Sequence, residues 1–359
     1  MSAVETLLGN SDWKPRRTLI LAFGFDEECS GYRGAGKIGP HLTEKYGDDS
    51  LAIILDEGGL GMPKIGNVQY ALPSVNEKGH IDVWLELHVV GGHSSIPFPH
   101  TGIGIMSEIV TRLEAHPYTP KLTKETPMFG HLTCQARYSP NADPELTRLL
   151  KQGNLEAVTD LVIDQSLAGH YLLQTSQAVD FISGGQKINA MPEVITLGVN
   201  YRVAPHNTNE EVQHNVVKHA TKIAKKYGIK IDAYVGDESY AKYASQFDTE
   251  EFDAEYEVDY KGTLKISSKE GTRAAPTSPT SGPVWDIFSG TIQHTFAVED
   301  GIVVPTGEGM TGNTDTRHYL SKSTYDIECY VQLLTNRPYS SRLPLQPCSW
   351  PWRREHPHH

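Results

Sequence analysis

The rhythm of apolar and polar positions changes several times along the chain, and each change predicts an element. Two short apolar runs, Thr18 to Phe25 and Leu51 to Leu55, read as strands. Between them Gly31 to Tyr46 combines glycines with mixed polarity, as a turn leading into a helix does, giving a β-α-β opening. At Gly79 the texture shifts. His80 to Val90 reads as a long strand, Gly91 to Pro99 as a turn, and Gly102 to Leu113 as a helix with Ile103, Met106, Ile109, Val110 and Leu113 on one face. Residues 145 to 163 have helical spacing of Leu, Val and Ile, within a stretch from 118 to 175 that otherwise reads as a surface insertion. Strands follow at 178 to 183 and Val194 to Val203, then a helix from Asn209 to Tyr227 ended by Gly228, then a strand from Ile229 to Val235. Strand, helix, strand, strand, helix, strand is a ferredoxin-like order.

Beyond it, Glu251 to Tyr260 alternates acids with Phe252, Ala254, Tyr256, Val258 and Tyr260, which predicts a half-buried strand with a solvated anionic face. That alternation spreads the acids along one face with no loop to wrap an ion, so it argues against a calcium site. The Pro/Ser/Thr cluster at 276 to 283 reads as a linker, with a helix near Val284 to Phe296. The chain therefore divides into a partial first domain at 1–78, a second domain at 79–268 carrying the 118–175 insertion, and a return to the first domain at 269–325. The proline-rich tail at 326–359, with its Trp350-Pro351-Trp352-Arg353-Arg354 run, lacks apolar periodicity and is not expected to fold.

A length of 359 residues with 38% apolar side chains is enough for two real cores. The formal charge of -12, with no clustered basic face before the tail, argues against a nucleic-acid partner. No uncharged apolar run approaches the roughly 20 residues of a membrane span. The N-terminus lacks a basic-then-apolar leader and no Asn-x-Ser/Thr sequon occurs, so the sequence by itself reads as cytoplasmic. Four scattered cysteines without a Cys-x-x-Cys pair indicate neither a zinc ribbon nor a disulfide framework.

Candidate chemistry sits where the predicted strands end. Glu27 and Glu28 follow Asp26 after the first apolar run, and Asp56 closes the second. In an open α/β sheet, groups at the carboxyl ends of strands converge on one crevice, and anions gathered there repel unless a cation or proton lies among them. An isolated Glu-Glu pair is ordinarily a solvated turn. Here a second acid-capped strand and the turn-rich Gly312-Asn313-Thr314-Asp315-Thr316-Arg317-His318 segment supply the oxygen and imidazole ligands that zinc takes.

The runs FGFDEECSGYRGAGKI, ILDEGG, GGHSSIPFP, KINAMPE, VNYRVAP and GNTDTRHY, in this order, resemble the di-zinc metallopeptidase family of carboxypeptidase S, the Gly-Xaa carboxypeptidases and the aminoacylases. The likeness covers about residues 15 to 320 and is nearest the fungal vacuolar carboxypeptidase S branch. It implies an α/β zinc-exopeptidase-type mixed sheet with helices on both faces, incomplete here, plus a ferredoxin-like α+β lid through which the protein forms a homodimer. It also implies that Glu27 is the general base, Glu28 and His318 ligands of one zinc and Asp56 a ligand of the other. His93 would reach a partner's site to stabilise the oxyanion, while Asn189 and Arg202 would hold the backbone and carboxylate of the substrate. The implied reaction is cleavage of small Gly-Xaa-like dipeptides, or alternatively of N-acyl amino acids, by metal-activated water.

In the family a His-x-Asp ligand pair and a bridging Asp precede the Glu-Glu motif. The resemblance thus leaves fewer than the three protein ligands a catalytic zinc takes, and implies a truncated member, impaired or retaining only dimerisation. His80-Ile81-Asp82 has the His-x-Asp spacing but falls inside a predicted lid strand, where a structural role is expected. Gly31-Tyr32-Arg33-Gly34-Ala35-Gly36-Lys37 fits a phosphate-cradling loop, yet Ile38 stands where Ser or Thr should ligate magnesium.

Overall fold

The structure is a computed structural model that describes residues 2–57, 62–247, 256, 258–323 and 326–328. It is a mixed α/β fold. Along the strand Gly79–His88 burial alternates strictly, as period-two patterning requires of a sheet covered on one face. Ile81, Val83, Leu85 and Leu87 point into a core closed by the helices Gly102–Glu114 and Asn209–Lys226. Val194–Val203 pairs antiparallel along its whole length with Gly79–His88, and Ser176–Gly184 pairs antiparallel with Val194–Val203.

The expected ferredoxin-like order is present with one insertion. Lys230–Ala233 does not lie beside Gly79–His88; Thr263–Thr272 runs between them, parallel to the former and antiparallel to the latter. The strand expected at 251–260 falls largely outside the described residues. Tyr256 is not in a strand but stacks on Tyr227, ring centroids 5.1 Å apart. The true strand begins a few residues later, where Leu264 and Ile266 alternate into the core.

In Gly102–Glu114 the buried face is Ile105, Met106, Ile109 and Leu113, whereas Ile103, assigned to that face from its spacing, is exposed. The helix Asn209–Lys226 starts with a capping box: Thr208 accepts from the Glu211 amide at 3.1 Å and the Glu211 carboxylate accepts from the Thr208 amide at 2.9 Å. Thr208→Ala removes one half of it, so a loss of about 1 kcal/mol in urea unfolding is expected.

The stretch 118–175 is more than a surface insertion. Its helices Pro127–Tyr138, Pro144–Gln152, Leu155–Gln165 and Leu167–Leu173 enclose a core of Leu122, Met128, Leu132, Leu146, Leu149, Leu150, Val158, Val162 and Leu173. The clear repeat of 145–163 is two helices broken at Gly153, whose φ of +69° suits glycine. Cys134, on the inner side of Pro127–Tyr138, packs into a separate core with Val68, Tyr70 and Val304.

The opening β-α-β reading is half right. Ala35–Tyr46 is the helix and Ile54–Asp56 a strand, but 18–25 forms no strand; Leu19, Leu21, Phe23 and Phe25 are exposed. Apolar alternation becomes a strand only where a ladder partner lies alongside, and none does among the described residues. Ile54–Asp56 pairs parallel with Asp326–Glu328, the start of the segment expected not to fold; Ser74–Glu77 and Glu308–Met310 complete that sheet. The helix expected near 284–296 is Pro283–Thr295. No helix of the described residues is long and apolar enough to cross a membrane.

Candidate functional site

Asp26 shapes the first wall of the site. Its carboxylate accepts from the amides of Gly34 at 2.7 Å and Arg33 at 2.8 Å, folding the chain back over a single turn, Glu27–Cys29. Two amides of the glycine-rich run are thereby committed to a carboxylate, which argues against its reading as a phosphate loop. Glu27 is half-buried and Glu28 exposed. Ser30 and Gly31 then take positive φ, and a Cβ at Gly31 would lie 2.0 Å from Asp315 Oδ1 and 3.2 Å from His318 Nε2. Only glycine lets this turn press against the 313–318 segment.

That segment ties the other walls together. His318 Nε2 donates to the Ser30 carbonyl at 3.0 Å, and the ring meets Tyr32 edge-on. Thr314 Oγ1 donates to Asp56 Oδ2 at 3.3 Å, while Asn313 Nδ2, at 3.3 Å, and Thr316 Oγ1 donate to Glu77 Oε2. Residues separated by hundreds of positions thus line one crevice.

Its electrostatics are those of crowded acids. Burial raises the Glu27 carboxyl above its usual range, and Glu57, Glu28, Asp315 and Asp56 raise it further. Burial likewise raises Glu57, with Asp56, Glu28, Asp315 and Glu77 adding to it. Asp56 is raised by burial against the opposing hydrogen bonds from the Glu57 amide and Thr314. Asp315 is raised by burial and then by Asp56, and His318 and Arg317 hold it back. Glu27 thus feels the charges of Glu28, Asp56, Glu57 and Asp315, and Asp315 that of His318.

Three acids escaped the sequence reading. Asp315 sits within the GNTDTRHY run, and Glu57 directly follows Asp56, so both lay in motifs already singled out. Glu77 carried no signal beyond its place ahead of a strand.

Hard oxygens, one imidazole and a buried Asp315 Oδ1 with no hydrogen-bond partner among the described residues fit a divalent cation in their chemistry. They fall short in number, for no three His, Cys, Asp or Glu side chains of the described residues form a group that could hold a metal ion.

His93 and Asn189 form a separate pair. The short strands Gly92–His93 and Ala190–Met191 pair antiparallel, and the Ser94 amide donates to the Asn189 carbonyl at 3.1 Å. His93 is exposed, with Nδ1 2.8 Å from Ser95 Oγ. Arg202 lies on the long strand opposite His80 and Ser176. No hydrogen bond or ion pair of the described residues joins these three to the acids. In the same sheet Asp82 accepts from Asn200 Nδ2 at 2.6 Å and His80 Nδ1 bonds Thr272 Oγ1, as a structural His-x-Asp would.

Residues 75–228 match the peptidase dimerisation domain. The chain is 41% identical over 338 residues to an uncharacterized carboxypeptidase of Schizosaccharomyces pombe, covering 94% of this chain and 53% of that protein. It is 36% identical over 337 residues to carboxypeptidase S of Saccharomyces cerevisiae, covering 90% and 55% respectively. It is also 29% identical over 332 residues to the N-fatty-acyl-amino acid synthase/hydrolase PM20D1 of Bos taurus, covering 90% and 56%. The chain thus carries a peptidase dimerisation domain and is similar along most of its length to the fungal carboxypeptidases S. It spans about half the length of the curated relatives it matches.

Proposed function

We propose that the chain serves hydrolysis of a peptide bond in small Gly-Xaa-like dipeptides, with Glu27 taking the proton of the attacking water. The observation that carries this reading is the acidic crevice in which Thr314 bonds Asp56, His318 bonds the Ser30 carbonyl and the Gly31 turn closes on Asp315; Glu27 lies among these acids, its carboxyl raised by burial and by its neighbours. A carboxyl tuned upward from its ordinary value is a better base near neutral pH. Glu28 and His318 would hold one zinc and Asp56 the other; zinc, when bound, supplies an acidified water and polarises the carbonyl. Arg202 has the fixed fork of donors suited to a substrate carboxylate, with Asn189 as a backbone contact and His93 offered across a homodimer of the 79–268 lid. N-acyl amino acids are the second substrate class, supported by identity to the bovine N-fatty-acyl-amino acid enzyme.

The test compares Gly-Leu with acetyl-leucine on purified chain after dialysis against zinc. Glu27→Gln is expected to lower kcat about a hundredfold with bound zinc unchanged. If neither substrate is cleaved and less than one zinc is retained while the chain sediments as a dimer, a purely dimerising role replaces the catalytic one.

A further inference from the structure

Glu77 and Lys78 turn to different surroundings. Glu77 accepts from Asn313 and Thr316 at the acidic crevice, whereas Lys78 lines a cavity of about 200 Å³ walled by the helical layer near Met128, the Pro205-His206 turn and the strand Glu308–Met310.

The cavity is lined by Lys78, Lys121 and His206 and also by the carboxylates of Glu125 and Glu308. Lys78 is 2% exposed, and its Nζ donates to the carbonyls of Tyr171 at 3.0 Å and Gln174 at 2.6 Å. An ammonium has three N–H donors, so one is left over, and no carboxylate of the described residues pairs with Lys78 or with Lys121 at the rim. His206 presents a buried Nε2 with no hydrogen-bond partner among the described residues. The acids nearby are engaged elsewhere. Glu308 is held by His131 Nδ1 at 2.7 Å and the Gly309 amide at 3.0 Å, and the exposed Glu125 is held by Thr123. Met128, Leu172 and Met310 supply an apolar wall. Burial, then the charge of Lys121, lowers the proton affinity of His206; Glu211 raises it and Lys78 lowers it again, so an entering anion would offset a cost that Glu211 leaves uncancelled.

We infer that this cavity is a binding site for a small monocarboxylate with a short apolar body, its carboxylate received by Lys78, His206 and Lys121. Buried donors lacking partners are costly until a ligand satisfies them. The volume lies below the roughly 300–1,000 Å³ of pockets for drug-sized ligands, which limits the occupant to a few heavy atoms.

Isothermal titration of the full chain with isovalerate tests it, inorganic phosphate serving as the purely ionic probe. Saturable binding of isovalerate, tighter than that of phosphate and weakened about tenfold by His206→Gln and by Lys121→Met, is the expected result. Thermal unfolding of both variants verifies that they are folded, and neither residue belongs to the proposed hydrolytic machinery. Absence of saturable heat with isovalerate, phosphate binding as tightly, or affinity unchanged in both variants overturns the assignment.

Discussion

The stability advantage of Lys78→Met over the unsubstituted chain is expected to shrink by about 3 kcal/mol as pH rises from 7 to 10.5. Burial, then the charge of Arg202, lowers Lys78 from 10.5 to about 8. Below pH 8 the ammonium is charged in both folded and unfolded chains, and the folded state carries the whole cost of burying it. Between 8 and 10.5 the folded chain holds fewer protons than the unfolded one, so stability from this group rises with pH. Above 10.5 the amine is neutral in both states and the cost is gone. Methionine never carries the cost, while the unpaired Tyr171 and Gln174 carbonyls add a penalty independent of pH. Denaturant unfolding of both proteins across the range, compared as a difference, cancels the opposing titration of buried tyrosines such as Tyr201 and Tyr234. A difference flat with pH would refute the account.

Leu85→Ala should cost about 2–5 kcal/mol in urea unfolding. Leu85 is fully buried in the central strand, directly opposite Leu197 on one neighbour and Ile266 on the other. Alanine there leaves a hole that three elements would have to collapse together to fill. Leu55→Ala is the control: the side chain is 55% exposed, and a change within about 0.5 kcal/mol is expected. Equal losses at the two positions would mean that the buried face has been misassigned.

Legibility followed the range of the forces involved. Gly79–His88, Val194–Val203 and Asn209–Lys226 were readable because their patterns are long and their caps local: strict alternation in the strand, Thr208 and Gly228 around the helix. Thr18 to Phe25 misled because apolar alternation states a preference without supplying a neighbour. Ile103 misled because a face chosen from spacing alone can rotate by one position; Ile105 lies at the true centre. Thr263–Thr272 was missed because acids and aromatics at 251–260 offered a stronger alternation just before it.

In the candidate site, Glu27, Glu28 and Asp56 stood out as acids ending apolar runs. Asp315 did not, because its importance lies in contact with Gly31, hundreds of residues away in sequence. Glu77 and Lys78 sit side by side with no local cue that one meets the crevice and the other a cavity.

The strand order of the large sheet bears on how a growing polypeptide assembles it. Lys230–Ala233 leaves the ribosome before Thr263–Thr272 and already has the direction needed to zip onto Gly79–His88. Pairing of those two strands before Thr263–Thr272 is made would occupy the edge that the late strand holds in the finished sheet. One edge of Gly79–His88 is thus open to two strands in turn, and the one made last is the one that keeps it.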